Sequence, residues 1–486
     1  MSIAVYARNR AIGEDMKVTH MWNVGSKGER IALIEGERRV SYSELDGLCR
    51  EIVAPLKKRS LIFCLCANTV ASIAGYLAFT EYGHVPLLLD ARISRDLMNQ
   101  LIDAYRPAWL WAPLDMAEKL PEHRVALEKE GYGLMALAGE TPFAMNEALC
   151  LLISTSGSTG SPKLVRQSCE NIRANTRSIT EYLGITPSER AITSLPMNYV
   201  YGLSVVNTHI YSGATLVLTD LNPYAKKFWE LVDREGVTSF AGVPFTYETI
   251  DKLRILKREM PSIRTLTQAG GKLSPELHRK LAEWAMERGK RFVVMYGASE
   301  ATARMGYLPP ERSLEKQGSM GIPIPGGRFE LIGADGEIID APDQVGELVY
   351  YGPNVTLGYA LTGRDLDKPD ENHGRLVTGD MARRDADGFY YIVGRKKRFL
   401  KILGKRINLD DVERLLKQHF DTGDIACGGR DDELWIYVVD PAIKDDAVEY
   451  VFSEMDINRN LQKAGVIPAI PRNASQKALY SQLPPL

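Results

Sequence analysis

The sequence feature that most constrains the fold is the segment 151–166, where an apolar run ends abruptly at a loop of serine, threonine and glycine. The apolar run predicts a buried strand, and the spacing of Ile172, Ile179 and Leu183 predicts a helix after the loop. A flexible Ser/Gly linker is the alternative for such a composition. The regular elements predicted on both sides disfavour that alternative.

The same loop combines hydroxyls, bare backbone and a cation. Gly157 and Gly160 allow the backbone to approach a ligand closely, and Lys163 adds a positive charge. The spacing is not that of a P-loop NTPase, because Lys163 is followed by Leu164 rather than by Ser or Thr. The combination predicts a polyphosphate site. Its members are Thr155, Ser156, Gly157, Ser158, Thr159, Gly160 and Lys163.

A strand–helix–strand rhythm precedes this loop. Apolar runs over 61–66 and 85–89 predict strands, and the apolar segment 70–79 between them predicts a helix. This order predicts an α/β fold with a parallel sheet covered by helices on its faces. With 486 residues the chain is too long for one compact core, so we expect two or more domains.

The composition disfavours several classes of protein. Lys and Arg number 60 against 62 Asp and Glu, so the net charge of −2 does not favour nucleic acid or an anionic membrane surface. No segment predicts a membrane span or the apolar core of a signal peptide. The six cysteines have neither CxxC pairs nor metal-binding spacing. We therefore expect reduced, mostly structural thiols and a cytoplasmic location.

The loop TSGSTGSPK resembles the phosphate-loop signature of the acyl-adenylate-forming superfamily, which includes acyl-CoA synthetases, luciferases and the adenylation domains of peptide synthetases. Further segments resemble the superfamily in order along nearly the whole chain: YGASE from Tyr296, GELVYYGPNVTLGY from Gly346, LVTGDMARRDADGFYYIVGR from Leu376 and PRNASQKALYSQL from Pro471. The resemblance implies an AMP-forming acid–thiol ligase, closest in style to an acyl-CoA synthetase. It also implies a small carboxylic acid, ATP, Mg²⁺ and a thiol from CoA or from phosphopantetheine.

For the nucleotide, the resemblance implies a role for each matching residue. Tyr296 would stack on adenine, and Glu300 would hold Mg²⁺. Ser299 stands where the family usually has threonine, and its hydroxyl would contact phosphate or the acyl carboxylate. Asp380 would accept hydrogen bonds from the ribose hydroxyls. The predicted adenine and ribose set is Gly270, Gly271, Lys272, Tyr296, Gly297, Asp380, Ile392 and Arg395.

Beyond Arg395 the sequence becomes basic, KKRFLKILGKR, for which a solvated or nucleic-acid-binding patch is the plain interpretation. The resemblance implies instead a hinge at Lys397. It would join a large N-terminal domain, residues 1–395, with parallel-rich sheets and a β-rich subdomain, to a small mobile α+β domain, residues 396–486. The implied catalytic residues are Lys477 for adenylation, Lys401 for the second half-reaction, and Ser299. Gln476 stands where the family has glycine.

The segment 191–218 resembles the family's acyl-pocket segment, with two departures. Asn198 and Tyr199 stand where many members have an aromatic residue and histidine. Val200 stands where amino-acid-activating members have an aspartate, so an α-ammonium group would lack its counter-ion and we expect a different acid. The predicted pocket is Tyr199, Val200, Tyr201, Gly242, Val243, Ala269, Ala298 and Met305.

Three alternatives remain open at the level of sequence. The thiol can belong to CoA or to a carrier protein, because both present the same reactive group. The chain can be a non-catalytic descendant that binds an acyl group or a nucleotide. It can also be an oxygenase of luciferase type, although the motifs shared with luciferases concern adenylation.

Overall fold

A computed structural model describes residues 19, 21–120, 122–137, 142–154, 163–403, 405–455, 457–472 and 478–486, without the side chains at 117–119, 397, 399, 405 and 406. The chain divides into two compact units. Unit 1 comprises Met1–Arg328 and Tyr351–Leu376, and unit 2 comprises Phe329–Tyr350 and Val377–Leu486.

Unit 1 contains two large sheets whose central strands are parallel, as the sequence predicts. In spatial order, the strands of the first sheet are Ile322–Pro323, Gly306–Tyr307, Arg291–Tyr296, Thr265–Gln268, Ser239–Gly242, Arg190–Ile192, Thr215–Leu218, Ile31–Glu35 and Arg38–Ser41. Those of the second are Gly358–Ala360, Leu164–Ser168, Leu149–Ser154, Val85–Asp90, Leu61–Cys66, Trp109–Pro113, Tyr132–Leu137 and His123–Lys129. The central pairs are parallel and the outer pairs antiparallel, so successive parallel strands end at the same edge.

Eight helices are described in unit 1: Tyr42–Val53, Val70–Glu81, Arg95–Tyr105, Cys169–Leu183, Val200–Ser212, Lys226–Arg234, Pro244–Lys252 and Pro275–Glu287. Val70–Glu81 is apolar on all sides and buries eleven of its twelve residues, as expected for a helix in the core of a large protein. Cys169–Leu183 begins at a capping box, in which Ser168 and Asn171 each bond the other's backbone N–H.

The phosphate-loop region differs from the prediction in one respect. The predicted helix with Ile172, Ile179 and Leu183 is present as Cys169–Leu183, but it is preceded by a strand that was not predicted, Leu164–Ser168, whose five residues are all buried. This strand pairs antiparallel with Leu149–Ser154, so the two strands flank residues 155–162, which lie outside the described residues. The first turn of Cys169–Leu183 then follows immediately.

This hairpin also corrects the prediction about the cysteines. Cys150 and Cys169 form a disulfide with their Cα atoms 5.2 Å apart, because the strand pairing brings the start of the helix beside the first strand. The expectation of reduced thiols is therefore wrong for this pair. Cys49, Cys64, Cys66 and Cys427 are free and buried.

Unit 2 begins with a four-stranded sheet, in the order Arg328–Ile332, Val345–Tyr351, Arg375–Arg384 and Tyr390–Arg395. Its other strands are Phe399–Ile402 paired with Lys405–Asn408, and the sheet Ile425–Arg430, Glu433–Val438 and Gln462–Val466. The helices Leu409–His419 and Lys444–Met455 contribute to an apolar core shared with these strands. Asn408 donates to the carbonyl of Val393 (2.8 Å), which ties this region to the four-stranded sheet. The predicted boundary after residue 395 therefore falls inside unit 2.

Among the described residues, no helix combines the length and the apolar composition needed to cross a membrane.

Candidate active site

Three side chains of unit 1 form the centre of the candidate site. Tyr359 donates its hydroxyl to Oε1 of Glu300 (2.6 Å), and Nζ of Lys163 lies 3.4 Å from the centroid of the Tyr359 ring. Glu300 follows the carboxyl end of the strand Arg291–Tyr296, where parallel sheets bind ligands. Tyr359 thus has a carboxylate at its hydroxyl and an ammonium over its ring.

The register of an edge strand produces this arrangement. Gly358–Ala360 pairs antiparallel with Leu164–Ser168, and Tyr359 is the partner of Val165, two residues from Lys163. The main-chain carbonyl of Glu300 accepts from both the amide and the hydroxyl of Thr356, each at 3.0 Å. Glu300 is therefore held by its backbone as well as by its carboxylate.

Electrostatics keep the central tyrosine neutral. Burial, and secondarily the negative charge of Glu300, raise the pKa of Tyr359 above its usual range. The phenol therefore remains protonated and continues to donate its hydrogen bond at any pH near neutrality.

Glu300 fits the predicted Mg²⁺ site as a single oxygen ligand. No group of three or more His, Cys, Asp or Glu residues able to hold a metal is found in the described part of the chain. Mg²⁺ that arrives with a nucleotide commonly binds one or two protein carboxylates together with phosphate oxygens and water. The single carboxylate of Glu300 matches that requirement.

The glycines predicted near adenine lie in constrained backbone. Gly270 has φ +88°, and a Cβ there would lie 2.7 Å from the hydroxyl of Tyr199. A Cβ on Gly297 would lie 1.7 Å from the carbonyl oxygen of Ala303. Gly271 accepts from Nε2 of Gln268 (2.9 Å). Tyr296 is half-buried at the end of its strand and Lys272 is exposed, and the adenine-binding role of these residues stays a prediction.

The structure brings half of the predicted acyl-pocket residues into one apolar cluster. Tyr201, Val243 and Ala269 are buried there, together with Ala241, Val293 and Met295, and Tyr199 packs against them. Gly242 ends the neighbouring strand Ser239–Gly242. Val200 instead belongs to a different core cluster. Ala298 is half-buried beside Gly297, and Met305 is fully buried.

The ribose candidates belong to unit 2. Asp380 and Arg395 are directly opposite each other on two antiparallel strands, and Nε of Arg395 lies 2.8 Å from Oδ1 of Asp380. Asp380 is buried, whereas the Arg395 side chain is 65% exposed. Ile392 is opposite Ala382 on the same pair of strands. The two polar candidates are therefore adjacent, and their role at the ribose stays a prediction.

Several residues named in the sequence analysis lie outside the described part of the chain: Thr155, Ser156, Gly157, Ser158, Thr159, Gly160, Gln476, Lys477 and the side chain of Lys397. Lys401 is exposed, and its backbone amide donates to Oδ1 of Asp431 (2.8 Å). Ser299 is half-buried at the start of a short 3-10 turn, Ser299–Ala301.

Two residues of the site were missed by the sequence analysis. Tyr359 lies in the segment GELVYYGPNVTLGY, for which no site residue was predicted, and nothing local relates it to Glu300. Arg304 is a buried arginine in the loop that follows Glu300. The sequence pattern that could have indicated Arg304 is a single charged residue in the otherwise uncharged stretch ATARMGY.

Comparisons with known proteins identify the family of the chain. A family model described as AMP-binding enzyme matches residues 21–360. The 2-succinylbenzoate–CoA ligase of Bacillus subtilis is 27% identical over 471 residues, which cover 94% of this chain and 95% of the relative. The indoleacetate–CoA ligase of Aromatoleum aromaticum is 27% identical over 447 residues, covering 86% and 85%.

A solved structure has the same fold. O-succinylbenzoate coenzyme A synthetase from Bacillus subtilis, in complex with ATP and magnesium ion, superposes with a TM-score of 0.77. The match has 24% sequence identity and covers 96% of this chain and 99% of that chain. At this identity the likeness establishes the fold.

Proposed function

The chain belongs to the AMP-binding enzyme family, and we propose that it converts a carboxylic acid, ATP and CoA into an acyl-CoA thioester, AMP and pyrophosphate. In the first half-reaction a carboxylate oxygen attacks the α-phosphorus of ATP, and the bond to pyrophosphate breaks. In the second, the CoA thiol attacks the acyl carbon of the adenylate, loses its proton and displaces AMP. The enzyme is thus an AMP-forming acid–thiol ligase.

The observation that carries the proposal is the Lys163–Tyr359–Glu300 arrangement. Both reactants of the first step are anions, so catalysis depends on alignment and on neutralising charge. Lys163 supplies a cation for phosphate, and Glu300 supplies one oxygen ligand for the Mg²⁺ that accompanies ATP. Tyr359 holds the two at a set separation, since its hydroxyl and its ring face contact one each.

The remaining roles belong to the proposal as well. Residues 155–160 would contact the β- and γ-phosphates with Lys163. Lys477 would bridge the substrate carboxylate and an oxygen of the α-phosphate. The C-terminal region would turn about Lys397 between the half-reactions and bring Lys401 into the second. Lys477→Ala retaining normal adenylate formation, or Lys397→Pro retaining normal thioester formation, would contradict these two assignments.

The central test is acid-dependent ATP–pyrophosphate exchange in the wild type and in Glu300→Gln. Glutamine keeps an oxygen that can accept from Tyr359 but lacks the negative charge. We expect exchange to fall by about 10²-fold or more, the scale for losing one preorganised electrostatic contact. The melting temperature should stay at the wild-type value. Exchange within two-fold of the wild type across Mg²⁺ concentrations would refute the role of Glu300.

CoA as the thiol is favoured by the two relatives, whose names describe CoA ligases. A carrier protein is the alternative acceptor. Pyrophosphate release with and without CoA separates them: acceleration by CoA, with AMP and a thioester as products, supports the proposal. Adenylate formation without CoA turnover moves the acceptor to a carrier, and no release with any acid supports the non-catalytic alternative. We retain a cytoplasmic location within the proposal, to be checked by cell fractionation.

A further inference from the structure

A cavity in unit 1 shares one wall residue, Tyr201, with the predicted acyl pocket. It lies among the helices Cys169–Leu183 and Val200–Ser212 and the central strands of the first sheet. Tyr201 and Met295 line it and also belong to the apolar cluster that gathers the acyl-pocket candidates. Most of the wall is apolar, and Arg304 is part of it.

Arg304 is a buried cation that has no acidic partner in the described part of the chain. The residue is 3% exposed, and no carboxylate among the residues that the structure describes lies within 4.0 Å of its guanidinium. Nε donates to the sulfur of Met295 (3.4 Å), and the guanidinium carbon lies 4.0 Å from the centroid of the Tyr201 ring. Thioether sulfur is a weak acceptor, and an aromatic face does not neutralise a charge. Buried arginines are normally paired.

The neighbouring acidic groups cannot serve as counter-ions. Burial raises the pKa of Tyr201 to about 12, and the pKa values of Tyr182 and Tyr199 are raised for the same reason, although the charge of Arg304 opposes each rise. These phenols are therefore neutral. Glu189 also lines the cavity, but its carboxylate accepts from the hydroxyl of Thr238 and lies 3.6 Å from Arg264.

The backbone of Arg304 is held in place by two buried asparagines. Asn175 accepts from the Arg304 amide (3.2 Å) and donates to its carbonyl (2.9 Å). Asn354 donates to the same carbonyl (2.9 Å). The other arginine on the wall, Arg291, is partly exposed and donates to the hydroxyl of Thr265 (2.8 Å). Arg304 is thus a fixed and desolvated charge at the wall of an apolar cavity.

We propose that Arg304 binds a second carboxylate of the substrate, so that the enzyme activates one end of a dicarboxylic acid while the other end pairs with this guanidinium. The inference rests on the proposed function and names its substrate class. Planar guanidinium and carboxylate groups form two parallel hydrogen bonds, which are strong away from water. A substrate with a neutral end would leave the buried charge unpaired, so the site selects against it.

The first test uses the wild-type enzyme. Pyrophosphate release is measured with aliphatic and aryl dicarboxylic acids of increasing length and with matched analogues in which one carboxylate is replaced by a carboxamide. We expect kcat/KM for the best dicarboxylic acid to exceed that of its amide by about 30-fold or more. Equal or higher activity with neutral-ended acids would overturn the dicarboxylate inference and leave the ligase function intact. No release with any acid would contradict the ligase function instead.

The second test uses Arg304→Met, which keeps an unbranched side chain against Tyr201, Arg304→Lys, which keeps the charge, and the control Arg288→Met. Arg288 lies over the Trp284 ring (5.2 Å) outside the cavity. We expect kcat/KM of Arg304→Met for the dicarboxylic acid to fall by about 30-fold or more, mainly through a higher KM. Its kcat/KM for the amide should not change. Lysine should restore part of the loss, and the control should match the wild type. Equal losses with both substrates, together with a lower melting temperature, would assign Arg304 a structural role.

A binding measurement tests the same residue without turnover. In the presence of AMP, the dicarboxylic acids of the panel should raise the melting temperature of the wild type but not of Arg304→Met. The amides should shift both proteins equally. Absence of a wild-type shift with every dicarboxylic acid would overturn the inference even if adenylation fails for another reason.

Discussion

Removing one hydroxyl should separate Tyr359 from Glu300 while leaving the rest of the site in place. In Tyr359→Phe the ring remains under Lys163, because that contact uses the ring face. The bond that disappears is 2.6 Å long and has an ionised acceptor. Hydrogen bonds to charged groups contribute about 1.5–3 kcal/mol, which corresponds to about 10- to 150-fold in rate.

The assay is ATP–pyrophosphate exchange at saturating acid, with Mg·ATP varied and the melting temperature measured in parallel. We expect kcat/KM for Mg·ATP to decrease by about 10- to 150-fold, because the hydrogen bond that orients Glu300 is lost. The ratio of variant to wild type should be constant between about pH 6 and 9, since burial and the charge of Glu300 raise the pKa of Tyr359 and keep it protonated.

A matched control is Tyr391→Phe in unit 2. The Tyr391 hydroxyl also donates to a carboxylate, Oδ2 of Asp385 (3.2 Å), and the guanidinium carbon of Arg383 lies 4.2 Å from its ring centroid. Tyr391→Phe should leave ATP–pyrophosphate exchange unchanged. Wild-type exchange by Tyr359→Phe, with an intact fold, would show that Glu300 does not depend on this bond. An equal loss in both variants would attribute the effect to tyrosine removal in general.

Three further predictions concern the fold. Gly297→Ala should destabilise the protein by more than about 2 kcal/mol, because its Cβ would meet the Ala303 carbonyl at 1.7 Å. Gly47 lies in a helix, and a Cβ there would have no heavy atom within 4 Å, so Gly47→Ala should stabilise the protein by about 0.4–1 kcal/mol. Urea unfolding tests both substitutions, and equal effects would refute the packing argument. Thiol titration of denatured, unreduced protein should find four of the six cysteines, and six would contradict the Cys150–Cys169 disulfide. Stability should fall as the pH drops from about 6.5 towards 4, because burial lowers the pKa of His278 to about 4 and the unfolded chain binds the proton first. His278→Gln should remove up to about 3 kcal/mol of that loss, and an unchanged pH dependence would show that other groups cause it.

The regular elements could be predicted because their signals are local. The apolar run over 61–66 is the strand Leu61–Cys66 as expected, and the predicted helix over 70–79 runs on to Glu81. The parallel sheets follow from the alternation of such strands and helices. The strand Leu164–Ser168 was missed because its sequence, LVRQS, places an arginine and a glutamine among buried positions. The Arg166 guanidinium is accommodated by carbonyls of residues far along the chain, including Leu357 and Tyr359, and by the carboxylate of Glu371 (2.7 Å).

By itself, the sequence determined the family, the reaction type and the order of the motifs, since the short runs around Lys163, Glu300 and Asp380 are each recognisable within a few residues. Only the tertiary structure decided which of these groups are in contact. The register of one edge strand places Tyr359 on Glu300, 59 residues away. Packing of helices against a sheet buries Arg304 with no acidic partner among the described residues, a property that depends on every neighbour around it. Contacts of this kind join distant parts of the chain, so no local pattern encodes them.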